Sequence, residues 1–283
     1  MVSENELGLF LRTRREAITP AEVGLPAGPR RRAPGLRRSE VAAIARVSVE
    51  YLTRLEQGRD RRPSPQVLSA LAGALLLSAG ERAHLLRLTK ASDPGYNCLG
   101  GTALPARTVR PTVRAVLDRL DPTPAVLLNR LGDVLAHTSG YEQLMGPIGL
   151  LDPPQPNVAR FVLTDERARA AYPDWERVAD EEVAALKQGP FRADPHIAAL
   201  ADDLTVTAGE VFTRRVETVP GLPGASGVVQ LAHPAAGRLR LAYEVLELAA
   251  DDDQRMVVLL PADTETGAAL DRLRTQPLQL LAG

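Results

Sequence analysis

Residues 38–58 read RSEVAAIARVSVEYLTRLEQG, and their apolar positions follow a helical period rather than the alternation of a strand. Val41, Ala42 and Ala45 share one face of a first short helix, and Leu52 and Leu55 share one face of a second. Between them, RVS at 46–48 is a three-residue turn. Ser48 offers a hydroxyl to cap the second helix, and Gly58 offers a stop after Glu56 and Gln57. Two short helices joined by so tight a turn, with Val41, Ala42, Ala45, Val47, Leu52 and Leu55 facing inward, form a helix-turn-helix. Ala42 is small, as needed where the two helices cross closely. Arg46 stands at the turn position where glycine is expected. A positive φ there costs arginine roughly 1 kcal/mol relative to glycine.

Working outward, residues 4–16 place Leu7, Phe10 and Leu11 on one helical face. Residues 63–77 open with Ser64 as cap and Pro65 in the first turn, and 78–91 close an all-α bundle. The polar face of the second helix is then a reading head for the DNA major groove, which a recognition helix meets with its N-terminal half. Ser48, Val49, Glu50, Tyr51, Thr53 and Arg54 are the residues in reach. Arg54 suits guanine, Glu50 suits cytosine, and Val49 suits a thymine methyl. Arg37, Arg38, Arg46, Arg59, Arg61 and Arg62 surround them and suit phosphate.

Charge divides the chain. Residues 1–92 carry 16 Lys and Arg against 9 Asp and Glu, leaving 18 against 26 for the remainder, although the whole chain is close to neutral at −1. A basic first third on an acidic remainder points to two domains with different partners. Their boundary falls in the Gly- and Pro-rich stretch ASDPGYNCLGGTALPARTVRP at 91–111. The expected organisation is a DNA-binding domain at 1–92, a linker at 93–110 and a second domain at 111–283. The lone cysteine, Cys98, excludes an intramolecular disulfide framework, and no apolar run is long enough to span a bilayer, so a cytoplasmic location with no membrane partner is expected.

The second domain reads as mixed α+β. Residues 124–130 and 132–138 are two strands around a turn at Leu131-Gly132. Helices are expected at 172–188 and 194–206, and a last one at 265–281. Strands at 226–232 and 237–248 are joined through HPAA, and 254–261 has the composition of a fully buried strand. The parity change from Val245 to Leu246 and Leu248 suggests a β-bulge. A sheet at both ends of the domain with helices inserted between leaves room for an apolar pocket.

No catalytic constellation is present. The four histidines, His84, His137, His196 and His233, have no metal-ligand spacing, and no GxSxG, GxxxxGK[ST] or GxGxxG occurs. The acidic runs ADEE and ADDD read as solvated charge. Neither an enzyme, a resident cofactor nor a metal is expected.

The N-terminal motifs quoted above, with LGLFLRTRREAITPAEVGLP before them and PSPQVLSALAGALLLSAGERAHLLRL after, resemble the XRE-type, lambda-repressor-like helix-turn-helix regulators, and in particular the MmyB-like group. DPTPAVLLNRLGDVLAHT, YPDWERVADEEVAALK, HPAAGRLRLAYEVLEL and DDDQRMVVLLPADT resemble that group's C-terminal domain. The resemblance implies a PAS-like ligand-binding module associated with fatty-acid-like ligands. It departs from the group's pattern at Arg46 and at His137-Thr138, where Trp-Asn is usual. Val126, Leu128, Phe161, Trp175, Phe212 and Tyr243 are the expected cavity walls. Asn157 and Arg160 are the expected polar contacts, Arg160 for a ligand carboxylate. The expected protein is a homodimeric transcription regulator on a palindromic double-stranded operator. The competing readings make the second domain a ligand-free dimerisation or docking module, or an enzyme tethered to DNA.

Overall fold

The computed structural model describes residues 5–26, 35–60, 62–91, 104–188, 191, 194–248 and 254–275. Most of the 93–110 linker, Cys98, Arg61 and the expected helix beyond 275 lie outside them.

The N-terminal unit is helical: α1 (Glu6–Ala17), a 3-10 turn (Pro20–Val23), α2 (Arg38–Ala45), α3 (Val49–Glu56), α4 (Pro65–Ala74) and α5 (Ala79–Ala91). Its ends are those the sequence signals. Ser48 Oγ accepts from Tyr51 N at 3.0 Å, and Ser64 Oγ from Val67 N at 3.3 Å. Phe10, Leu11, Val41, Ala42, Leu52, Leu55 and Leu71 form its core. The turn is as tight as expected: Arg46 adopts φ 54° and ψ 43°, the left-handed region.

One tie was not visible in the sequence. Glu56, at the end of α3, is buried and takes both Nε (2.7 Å) and Nη2 (3.1 Å) of the buried Arg15. Arg38 Nε joins it at 2.8 Å, and Arg15 Nη1 donates to Leu36 O at 3.0 Å. One carboxylate therefore holds α1, α2 and α3 together. Two charge partners and a backbone acceptor are what a buried ion cluster needs to offset desolvation.

The C-terminal unit begins with α6 (Pro111–Leu120), β1 (Ala125–Leu128), β2 (Val134–His137) and α7 (Ser139–Met145). Next come α8 (Val158–Thr164), α9 (Glu166–Ala171), α10 (Trp175–Leu186), α11 (Pro195–Thr207) and α12 (Glu210–Thr218). It ends with β3 (Ser226–His233), β4 (Gly237–Glu247), β5 (Arg255–Pro261) and α13 (Thr264–Thr275). The strands form one antiparallel sheet in the order β2-β1-β5-β4-β3. Its inner face meets the helical layer through Val126, Leu128, Leu231, Leu241 and Leu259. Part of its outer face is covered by α6, where Val113 and Leu117 pack on Ala125, Leu127 and Met256.

Two strand expectations are corrected. β4 pairs with β5 in unbroken register from Leu241 to Glu247, so there is no bulge at 245–246; the irregularity lies at Leu127/Leu128. Leu246 faces outward and is exposed, which explains its parity without a bulge. β5 is central in the sheet but only Met256 and Leu259 are buried, because the outer face is covered only in part. The HPAA turn is fixed by His233, whose Nδ1 accepts from Ala235 N (3.2 Å) and Ala236 N (3.1 Å) while Nε2 lies 3.0 Å from Gln143 O.

Candidate nucleic-acid interface and ligand cavity

The exposed face of α3 divides its residues by what their polar atoms already do. The Ser48 hydroxyl is spent on its cap, and Thr53 Oγ1 donates to Val49 O at 2.8 Å. Tyr51 is half-buried against the core. Val49, Glu50 and Arg54 are exposed and present their side chains outward. The Arg54 guanidinium lies 5.8 Å from the Tyr51 ring centroid and 4.0 Å from Asp60, two weak tethers that aim it along the helix. Arg37, Arg46, Arg59 and Arg62 are exposed around this face. Arg38 is partly exposed but is also a member of the Glu56 cluster, which gives it a structural role the sequence did not suggest.

A cavity of about 300 Å³, open on one side, lies between the sheet and α10 of the C-terminal unit. Val126, Leu128, Val229, Leu231, Leu241, Val245, Val257 and Leu259 form its sheet wall, with Tyr243 beside them. Val178, Glu182 and Ala185 of α10 face them, and Tyr141, Met145 and Tyr172 close the side. Among the expected wall residues, Val126, Leu128 and Tyr243 line this cavity.

The other expected residues do not. Phe161 and Phe212 are buried in the core that supports the helical layer. Trp175 is also core: its Nε1 donates to Val162 O at 2.8 Å, and Arg169 stacks 3.6 Å from its ring centroid. Asn157 caps α8, accepting from Arg160 N at 2.9 Å and donating to Asp133 at 2.7 Å. Arg160 points away to pair with Asp203 near the surface, so it is unavailable to a ligand carboxylate. Cavity walls and solid core demand the same apolar residues, so composition cannot separate them.

The acidic run 179–182 is the larger correction, since Glu182 is half-buried and lines the cavity. It sits one turn after Val178 and nearly one before Ala185 on the cavity face of α10, a placement the helical period could have revealed. Burial pushes its carboxyl up to about 7, against the pull of Arg255 and with a further push from Glu181. Glu181 behaves differently, accepting from Gly224 N at 2.7 Å. The same burial raises the phenols of Tyr141 and Tyr172, and the Glu182 charge adds to both shifts.

Residues of both units meet at one side of the cavity. Gly80 of α5 lines it, together with Leu222, Pro223 and Gly224 of the segment after α12. Leu222 also packs against the core of the N-terminal unit. Just past α10, Lys187 has no exposed side-chain surface; its Nζ donates to Val216 O at 2.6 Å and to Val219 O, and pairs with Glu6 of α1 at 3.2 Å. Burial lowers the Lys187 ammonium and raises the Glu6 carboxyl, with the pair's attraction opposing both shifts. A side chain at Gly221 would meet Lys187 O at 2.2 Å, so the segment lies tight against this tie.

Among the described residues there is no group of three His, Cys, Asp or Glu that could hold a metal ion, and no helix is long and apolar enough to cross a membrane. A family model described as a helix-turn-helix domain matches residues 6–85. A second, described as the MmyB-like transcription regulator ligand binding domain, matches residues 109–273, more than half of the chain. No curated protein matches the chain.

Proposed function

Because the chain belongs to the MmyB-like transcription regulators, we propose that it is a one-component switch in which a small molecule in the sheet–α10 cavity changes the affinity of α3 for an operator. The observation that carries this reading is the shared boundary: Gly80 lines the cavity, Leu222 packs on the DNA-binding core, and Glu6 is tied to Lys187. A ligand shifts DNA affinity only if it favours one arrangement of the two units over the other, and a cavity edged by both supplies such a difference. The sheet wall is largely apolar and suits an alkyl or acyl chain, the fatty-acid-like class implied by the resemblance. The protein works in the cytoplasm as a homodimer on a palindromic operator, since one short recognition helix reads too few base pairs for a genome. It performs no catalysis.

The test is operator affinity with and without saturating medium-chain amphiphiles, in wild type, Lys187→Met and Val126→Trp. Wild type should respond with a coupling of about 1–3 kcal/mol. Lys187→Met, which cuts the tie, should shrink that response, and Val126→Trp, which fills the cavity, should abolish it. Bound amphiphile with wild-type operator affinity unchanged would sink the switch.

A further inference from the structure

Two opposite charges line the sheet–α10 cavity, and neither is spent. Arg255 of β5 makes no side-chain hydrogen bond or ion pair among the described residues. Glu182 of α10, on the facing wall, makes none either. Arg255 is nonetheless the charge that acts most strongly on Glu182. An acid and a base that feel each other across a cavity without closing into a pair leave room for a third group. Tyr141 and Tyr172 are buried cavity residues beside them. The Tyr141 hydroxyl has no partner among the described residues, and Tyr172 has only the Met145 sulfur at 4.0 Å. Buried polar groups are normally satisfied, so the polar head of a ligand belongs at this end.

We propose that the cavity seats a carboxyl head between Arg255 and Glu182, and that one proton from solvent is taken up with it. This rests on the ligand-switch reading above. The Arg255 guanidinium is a fork of donors matched to a carboxylate. An ionised Glu182 only accepts hydrogen bonds, and it would repel the incoming charge. Once protonated it becomes a donor, and the two carboxyl groups share one proton as a dyad. The other groups facing Glu182 leave that proton necessary. On α10, Arg177 is engaged with Asp174 and Val228 O, and Glu181 with Gly224 N. On β4, Glu247 stands across from Arg255 in the strand register, and Tyr243 adds a phenol next to Arg177 and Glu181. Burial raises the phenols of Tyr141 and Tyr172, which stay protonated and neutral. β1, β3 and the 222–225 segment bring only apolar residues and glycine to the cavity. Burial already holds the Glu182 carboxyl at about 7, so near neutrality the uptake costs little.

The experiment measures decanoate and decanol binding to the full-length protein by calorimetry, in wild type, Glu182→Gln and Arg255→Met. Wild-type affinity for decanoate should fall by up to roughly tenfold between pH 6 and pH 8, as Glu182 in the free protein gives up its proton, with no such fall for decanol. At pH 8, heats in buffers of different ionisation enthalpy should count roughly one proton taken up per decanoate and none per decanol. Glu182→Gln, whose amide donates without titrating, should hold decanoate at pH 8 as tightly as wild type does at pH 6, with a flat profile and no uptake. Arg255→Met should cost decanoate roughly tenfold or more at pH 6 and leave decanol unchanged. If either variant fails to fold, the wild-type profile and proton count carry the test. Decanoate binding with equal affinity at pH 6 and pH 8 and no proton uptake would overturn the proposal and leave the switch standing, as would an uptake that persists in Glu182→Gln. Failure of both amphiphiles to bind would overturn both.

Discussion

Arg46 is an arginine in a left-handed turn, and the fold pays for it. Arg46→Gly should raise the free energy of unfolding by roughly 0.5–1 kcal/mol: about 1–2 kcal/mol of relieved strain, less the extra freedom of glycine in the unfolded chain. The same change should weaken DNA binding and flatten its salt dependence if the side chain touches phosphate. Urea unfolding and operator titration at several salt concentrations read the two effects separately. Arg54 and Arg59, both exposed beside α3, make the complementary pair. Arg54→Ala should cost about 1–3 kcal/mol on the cognate operator and relax one base preference, whereas Arg59→Ala should weaken cognate and random DNA alike. Equal effects of both on both DNAs would remove Arg54 from base reading. Residue-scale chemistry was legible where it is local: the Ser48 cap and the Arg46 turn follow from neighbours in sequence. Arg15 and Glu56 meet across 41 positions, and no local pattern announces that.

At the scale of elements, α10 shows what a helical period conceals and reveals. Its charged run includes Asp180, which pairs with Arg215, and Glu181, which holds Gly224. Glu182 turns into the cavity beside Glu181 and makes no hydrogen bond among the described residues. A carboxyl whose folded pKa is raised binds a proton that the unfolded chain has released, so its contribution to stability is lost as pH climbs from about 4.5 to about 7. His233 acts in the opposite sense. Burial lowers its pKa, so its turn is fully stable above the ordinary histidine value and loses stability as pH falls below it. Comparing wild type with Glu182→Gln cancels the histidine. The variant should match wild type near pH 4.5 and exceed it above pH 7 by on the order of 2–3 kcal/mol. Parallel stability curves across that window would show that Glu182 is solvated after all. Helices α1 to α5 were legible because caps and apolar stripes coincide. By contrast, α7, α8 and α9 run only 7, 7 and 6 residues, too short to show a period.

At the scale of the molecule, the outer sheet face offers a seam for the proposed homodimer. Val228, Ala242 and Leu260 stand side by side across β3, β4 and β5, with Val228 and Leu260 more than 40% exposed. Light scattering should give a dimer for wild type and a shift to monomer for Val228→Arg combined with Leu260→Arg. A wild-type monomer both free and on DNA would rule out the symmetric operator. The two-unit plan was legible from charge and from the Gly- and Pro-rich stretch between the units. Their mutual tie was hidden, since Glu6 and Lys187 each read as ordinary surface charge in their own segment. That tie has a practical corollary. The chain has two lysines, Lys90 and Lys187, and the second has no surface to offer a reagent while α1 is docked. Acylation of Lys187, read by peptide mass against acylation of the α-amino group, therefore counts how often the two units part. Lys187 is thus an untagged reporter of the proposed switching.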